Sequence, residues 1–294
     1  MNSIVSYPER GKWGNNKYRG NATGKLLIDL HTIYKFDEIS DYMAGSFTTA
    51  DVGKELGITT NCYDLNGFRG KSYDLLNDEI KERNEFIYWH PPYWNIIKYS
   101  GFQYGDIPLE NDLSHIKDYE KFMKAINYCL AKQFTSLEVG GRIAILMADI
   151  KKKGKLYSML LDMNKLGTLE QIVIKEQINC MSDKKIYYND NFIKIAHEYC
   201  LILRKDFPLM LDFSVTKKAQ VDLRDCINIT WKDLIASTLE CMGKISTLDK
   251  IYSSLEGYKK TASNKDWKAK VRQTLQRYPN IFASVEKGKW KLIS

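Results

Sequence analysis

The 294-residue chain is 44% hydrophobic and 27% charged, enough apolar mass for one large α/β core and a smaller module, with no bias toward disorder or fibres. No apolar run approaches the ~18 residues of a membrane span, and the N-terminus lacks the apolar core of a secretory signal. The six cysteines are scattered without zinc or disulfide spacing, so a cytoplasmic protein with no membrane partner is expected.

The net charge of +8 is unevenly placed. Residues 229–294 hold 13 basic against 6 acidic side chains, a balance of +7, which leaves +1 for residues 1–228. Such a basic module beside a neutral body suits a polyanion binder, since cations placed on phosphates release condensed counterions; a solvated lysine-rich surface would look the same.

In chain order, residues 24–35 (GKLLIDLHTIYK) carry apolar residues at helical spacing. Next comes DYMAGSFTTADVGKELG, an acid opening a small-residue loop, with Gly45 permitting a tight turn and Ser46, Thr48 and Thr49 leading into a helix over 50–56. Ile58 to Leu65 is strand-like and holds Asp64. Strand, loop, helix, strand and acid in this order describe a nucleotide-type cofactor site. The apolar run Phe86 to Trp89 stops at Pro91-Pro92, which presents the following residues at a strand end.

Residues 117–138 read as a helix broken by Gly140-Gly141, after which RIAILMAD reads as a buried strand. Leu169 to Ile178 and Tyr199 to Leu203 are further strands, and the alternation predicts a mainly parallel sheet covered on both faces. From Trp231 the pattern becomes helices over 231–242, 247–255 and 264–278, then strands over 281–285 and 289–293 around Glu286-Lys287-Gly288. Three helices and a hairpin predict a winged helix, with the modules meeting near residues 205–230 and divided as 1–228 and 229–294.

Several of these segments resemble the DNA amino-methyltransferases that act on adenine-N6 or cytosine-N4. The family's catalytic motif, an Asp, Asn or Ser followed by Pro-Pro and an aromatic, is matched by His90-Pro91-Pro92-Tyr93. Its cofactor loop DPxxGSGTT is matched by Asp41 to Thr49, its helix-leading arm by Tyr18-Arg19-Gly20-Asn21, and its fifth-strand entry by Gly140-Gly141. The order of arm, cofactor loop and catalytic loop resembles one of the family's circular permutations.

The resemblance implies a Rossmann-like S-adenosylmethionine-dependent methyltransferase domain that needs no metal. Asn21, Asp41, Met43, Gly45, Ser46, Thr48, Asp64 and Asp74 would contact the cofactor: Asp41 the methionine ammonium, Asp64 the ribose and Asp74 the adenine ring. His90 and the Pro91 carbonyl would accept hydrogen bonds from the target amine, and Tyr93 would stack on a base flipped out of the duplex. Three positions depart from the pattern: His90 itself, Tyr42 in place of proline, and Phe47 in place of glycine. Only a neutral His90 offers an acceptor, so activity is expected to fall as pH drops through its titration, near 6.5 for a free ring.

Residues 229–294 also resemble winged-helix domains of restriction and modification proteins through TWKDL, VRQTLQ and GKWKL. Lys265, Lys268, Lys270, Arg272 and Gln273 are its candidate DNA contacts, while Trp267, Val271, Leu275 and Trp290 read as core. Target recognition is equally placed at residues 151–195, with Lys151-Lys152-Lys153 and Tyr187-Tyr188. Double-stranded DNA is the expected partner, and a homodimer and a cognate restriction nuclease are further candidates. RNA or protein glutamine as substrate, and a noncatalytic DNA-binding subunit or inhibitor that retains the fold, stay open.

Overall fold

The computed structural model describes residues 1–69, 72–178, 193–207, 213–214 and 229–293. Tyr187 and Tyr188 lie outside these, and the expected junction at 228 and 229 falls at their edge. Two units are formed, Met1–Thr216 and Lys217–Ser294. The first runs β1 (Ile4–Val5), α1 (Gly24–Tyr34), β2 (Glu38–Asp41), α2 (Thr48–Leu56), β3 (Thr59–Cys62), β4 (Asn84–Trp89), α3 (Tyr119–Ser136) and β5 (Leu137–Met147). It continues with β6 (Ile150–Lys152), β7 (Lys155–Tyr157), α4 (Met159–Asp162), β8 (Lys165–Leu166), β9 (Thr168–Glu176), β10 (His197–Arg204) and β11 (Phe213–Ser214).

Seven of these strands make one sheet in the order β1-β9-β10-β5-β4-β2-β3. β3, β2, β4 and β5 are parallel, whereas β10 runs antiparallel to both β5 and β9. This is a Rossmann-like arrangement, and the expectation of a mainly parallel sheet is corrected at one strand. The run HEYCLILR is buried whichever way it points, so its sequence carries no direction.

Side chains alternate between two cores. Ile87 and Trp89 of β4, Ile143, Ile145 and Met147 of β5, and Leu201 and Leu203 of β10 pack on the face covered by α3. Phe86, Tyr88, Ala144, Leu146, Cys200 and Ile202 pack on the face covered by Leu26, Leu27 and Leu30 of α1 and Val52 of α2. Both faces are apolar because both are covered. Thr23 caps α1 by accepting from the Lys25 amide at 3.2 Å, and Asp118 caps α3 by accepting from the Lys121 amide at 2.8 Å.

Gly140-Gly141 does not end the helix as expected. α3 stops at Ser136 and β5 starts at once at Leu137. The buried Lys205 ammonium makes this possible, donating at 2.7 Å to the carbonyls of both Thr135 and Leu137 and so satisfying a helix end from afar. The glycines serve the strand instead. A Cβ at Gly141 would stand 2.9 Å from the Glu85 carbonyl oxygen and 3.1 Å from that of Asn84.

In the second unit α5 (Trp231–Cys241) leads to β12 (Ile245–Thr247), α6 (Leu248–Leu255), α7 (Lys259–Ala262), α8 (Trp267–Arg277), β13 (Phe282–Glu286) and β14 (Lys289–Leu292). The sheet order is β12-β14-β13, all antiparallel, with Gly288 at a φ of 81° in the hairpin turn. Leu234, Leu239, Ile251, Val271, Leu275 and Phe282 form its core, and Trp267 and Trp290 pack against it. The sequence reading missed β12 and α7, three and four residues long, which are too short for periodicity to reveal.

Because the atoms facing Gly141 are backbone, they cannot swing aside. Gly141→Ala is expected to cost about 1–3 kcal/mol, read as a lower urea midpoint for the unit holding Trp89.

Candidate functional site

The chain leaves β2 toward β3 on one side and returns to β4 on the other, so the sheet's switch point lies between β2 and β4. A cleft opens outside the C-terminal ends of these strands, where ligands bind in open α/β sheets. All eight residues expected to meet a cofactor line it: Asn21, Asp41, Met43, Gly45, Ser46, Thr48, Asp64 and Asp74. His90 and Pro92 join them from the end of β4, whereas Pro91 and Tyr93 are not part of the lining.

The loop after β2 is held by two buried carboxylates. Asp41 accepts from the Thr49 hydroxyl at 2.6 Å and the Met43 amide at 3.1 Å. Burial outweighs these bonds and, with help from Asp64, pushes the Asp41 carboxyl up to about 7. Asp64 accepts from the Gly45 amide at 2.7 Å and the Asn66 amide at 3.1 Å. It is therefore a strut of the loop, and any ribose contact must use its remaining lone pairs. Asp74 is similarly engaged, accepting from Asn111 at 2.7 Å and Asn77 at 2.9 Å.

Phe47 explains its own departure from glycine. It sits at a φ of 65°, in the left-handed region that favours glycine, so the backbone keeps the turn that the pattern requires. Its buried ring is absent from the cleft lining and packs edge-on against Phe68 and under Arg69. Tyr42 is buried too, stacking on Tyr63 and donating to Asn84 at 3.2 Å.

His90 is tied to a network that the sequence reading did not foresee. Its Nε2 lies 2.9 Å from the Tyr93 hydroxyl, which in turn donates to Glu198 Oε1 at 2.8 Å. Glu198 Oε2 meets Lys175 Nζ at 2.6 Å, across a directly paired position of β10 and β9. Burial would raise the Glu198 carboxyl, but Lys175 and the hydrogen bonds hold it below the ordinary range. For His90 burial dominates: with a push from Lys175 and against the pull of Glu198, it lowers the ring to about 4. The expected loss of activity near pH 6.5 is thereby corrected, since the ring is neutral throughout the physiological range.

Tyr99 and Tyr104 were also missed, and Tyr18, read only as part of the arm, joins them in the cleft. Tyr18, Tyr99 and Tyr104 form a ring cluster at one wall, with Tyr18 donating to Tyr104 at 3.0 Å. The Tyr88 hydroxyl and Ser46 Oγ are buried at the cleft without a hydrogen-bond partner among the described residues. Lys152, expected at a recognition surface, clamps the loop after β4: its ammonium lies 4.4 Å from the Trp94 ring centroid and donates to Asn95 at 2.9 Å.

In the second unit Lys265, Lys268, Arg272 and Gln273 are exposed and Lys270 is half-buried. Lys270 donates to Gln273 at 2.9 Å, Arg272 donates to Tyr252 at 3.0 Å, and Lys268 lies over the Tyr252 and Trp267 rings, so four of the five are already partnered within the unit. No helix among the described residues is long and apolar enough to cross a membrane. No cluster of His, Cys, Asp and Glu among them could hold a metal.

No family model and no curated protein matches the chain. Among solved structures it is similar to a Thermus thermophilus protein described as a DNA modification methylase, at 16% identity and a TM-score of 0.28, covering 63% of this chain and 57% of that one. TrmN from Thermus thermophilus is similar at 16% identity and a TM-score of 0.39, covering 64% and 50%. TehB from Haemophilus influenzae follows at 14% and 0.36, covering 62% of each chain. The chain thus spans between half and just under two thirds of those structures' lengths. The Rossmann-like assignment rests on strand order.

The depressed His90 value has a stability consequence. Below pH 6.5 the unfolded chain takes up a proton that the folded ring refuses until about pH 4, so stability drains away between these values and levels off beneath them. Relative to His90→Asn, the wild type should lose about 2.5 kcal/mol between pH 7 and 4.5 in paired urea titrations.

Proposed function

We propose that this protein is an S-adenosylmethionine-dependent methyltransferase acting on the exocyclic amine of a base in DNA, adenine-N6 in preference to cytosine-N4. The observation that carries the reading is the meeting, in one cleft, of a cation-seeking carboxylate and a helix N-terminus at the end of β2 with the His90 ring at the end of the adjacent β4.

The cleft fits the cofactor's amino-acid end. Asp41, buried and held near neutrality, would take its ammonium; the N-terminus of α2, with Ser46 and Thr48 at its mouth, suits its carboxylate. The unpartnered Ser46 and Tyr88 hydroxyls are groups that a polar ligand would satisfy. When bound, S-adenosylmethionine supplies the electrophilic methyl group.

The chain's own residues handle the amine, whose lone pair is delocalised into the base. A neutral His90 can accept one of its hydrogens. The Pro91 carbonyl, which takes no hydrogen bond among the described residues while that of Pro92 accepts from Trp94 at 3.1 Å, can accept the other. Two acceptors at the amine draw its nitrogen toward tetrahedral geometry and free the lone pair for transfer. A base must leave the duplex to reach them.

The second unit supports the choice of DNA. Its order of helix, strand, helices and hairpin, and its balance of +7 over 229–294, suit a winged helix that lays α8, with Lys268 and Arg272 on it and Lys265 just before it, along a phosphate backbone.

Expressed in a host without DNA methylation, the protein should leave modified bases detectable by long-read sequencing, and His90→Ala should abolish them. A bare genome from folded wild-type protein would sink this reading. Affinity for S-adenosylmethionine should weaken about tenfold from pH 8 to pH 6 as Asp41 takes up its proton. Asp41→Asn should lower the affinity and flatten that dependence in calorimetry.

A further inference from the structure

We propose that Glu198, paired with Lys175 on the neighbouring strand, fixes the tautomer of His90 through the Tyr93 hydroxyl, making Glu198 and Tyr93 positioning residues for the nitrogen that faces the amine. The consequence for catalysis rests on the function proposed above, but the tautomer can be read without any turnover.

The inference follows from counting hydrogens. Glu198 Oε2 accepts from Lys175 at 2.6 Å and its Oε1 faces the Tyr93 hydroxyl at 2.8 Å. An ionised carboxylate has nothing to donate, so the single hydroxyl hydrogen of Tyr93 must go to it. The same oxygen lies 2.9 Å from His90 Nε2 and can then act there only as an acceptor. Nε2 therefore carries the ring hydrogen. In a neutral imidazole the other nitrogen, Nδ1, is left with its lone pair, and Nδ1 makes no hydrogen bond among the described residues.

The polarity matters to the proposed chemistry. Asp or Asn at this position presents an acceptor oxygen, whereas a histidine presents an acceptor in one tautomer and a donor in the other. A donor at Nδ1 would face the amine hydrogens with a hydrogen of its own. The aligned chain of Lys175, Glu198, Tyr93 and His90 removes that ambiguity, and burial keeps water from resetting it: the Glu198 and Lys175 side chains are 11% and 12% exposed.

Glu198→Gln tests the chain without changing its shape. With Lys175 still donating, the amide oxygen turns to Lys175 and the amide NH₂ to Tyr93. Tyr93 must then send its hydrogen to His90, and the ring hydrogen moves to Nδ1. Ring ¹⁵N spectra of the full chain, labelled at its four histidines and assigned with His90→Asn, report this directly.

The expected result at pH 7 is protonated Nε2 and bare Nδ1 in wild type, and the reverse in Glu198→Gln. Methyl transfer to unmethylated duplex DNA should then fall at least tenfold in kcat, with KM for the cofactor unchanged. A wild-type ring protonated at Nδ1, or an unchanged tautomer in Glu198→Gln, would overturn the inference. If that variant does not fold, Tyr93→Phe decides: its ring loses the fixed partner and should show a mixed population, and a single unchanged tautomer there counts against the proposal. Wild type with the expected tautomer but no turnover would count against the proposed function and leave this inference standing.

Discussion

The hydrogen bond from the Gly45 amide to Asp64, 2.7 Å long and buried, is the constraint on which the rest of the cleft depends. It joins the loop leaving β2 to the end of β3, two segments that would otherwise diverge. With Gly45 fixed at a φ of 52°, the chain turns sharply enough to start α2 at Thr48, aiming that helix's N-terminal amides across the cleft. A backbone bond to a buried carboxylate contributes about 1.5–3 kcal/mol, more than the loop's exposed contacts could supply. The Asp64 charge also works on Asp41 nearby, adding to the burial that keeps Asp41 short of a counter-charge.

Local strings were legible in the sequence and distant partnerships were not. The loop Asp41 to Thr49 and the run His90 to Tyr93 each hold their residues within a single turn, so their placement at two strand ends could be read from spacing. Nothing in either string points to Glu198, which is 105 positions from Tyr93 and reaches it only because β10 inserts beside β5. One sign was present: an acid inside HEYCLILR, a run otherwise fit for burial, calls for a partner. The tyrosine wall was hidden for a similar reason, since Tyr99 and Tyr104 meet Tyr18 only after the loop beyond Tyr93 folds back on the arm.

The departures from pattern also read differently in three dimensions. A phenylalanine at position 47 looks like an obstruction where the pattern has glycine, yet its backbone keeps the glycine-like turn and its ring is spent on Phe68 and Arg69. A histidine at position 90 looks like a source of pH sensitivity, yet burial takes its titration well below neutrality. In both cases the residue type suggests a property that its surroundings remove.

The place of β10 in the sheet bears on how the unit is made. It is the last of the seven strands in sequence but lies in the interior, between β5 and β9. Until residue 205 has been synthesised, β5 is an open edge, β9 and β1 have no attachment to the rest of the sheet, and α3 lacks the lysine that seals its end. A nascent or truncated chain ending earlier would thus expose two unpaired strand edges, a state prone to association with other chains. Glu198, which reaches His90 through the Tyr93 hydroxyl, arrives on that same strand, so the hydrogen-bonded network at the end of β4 is completed in the step that closes the sheet.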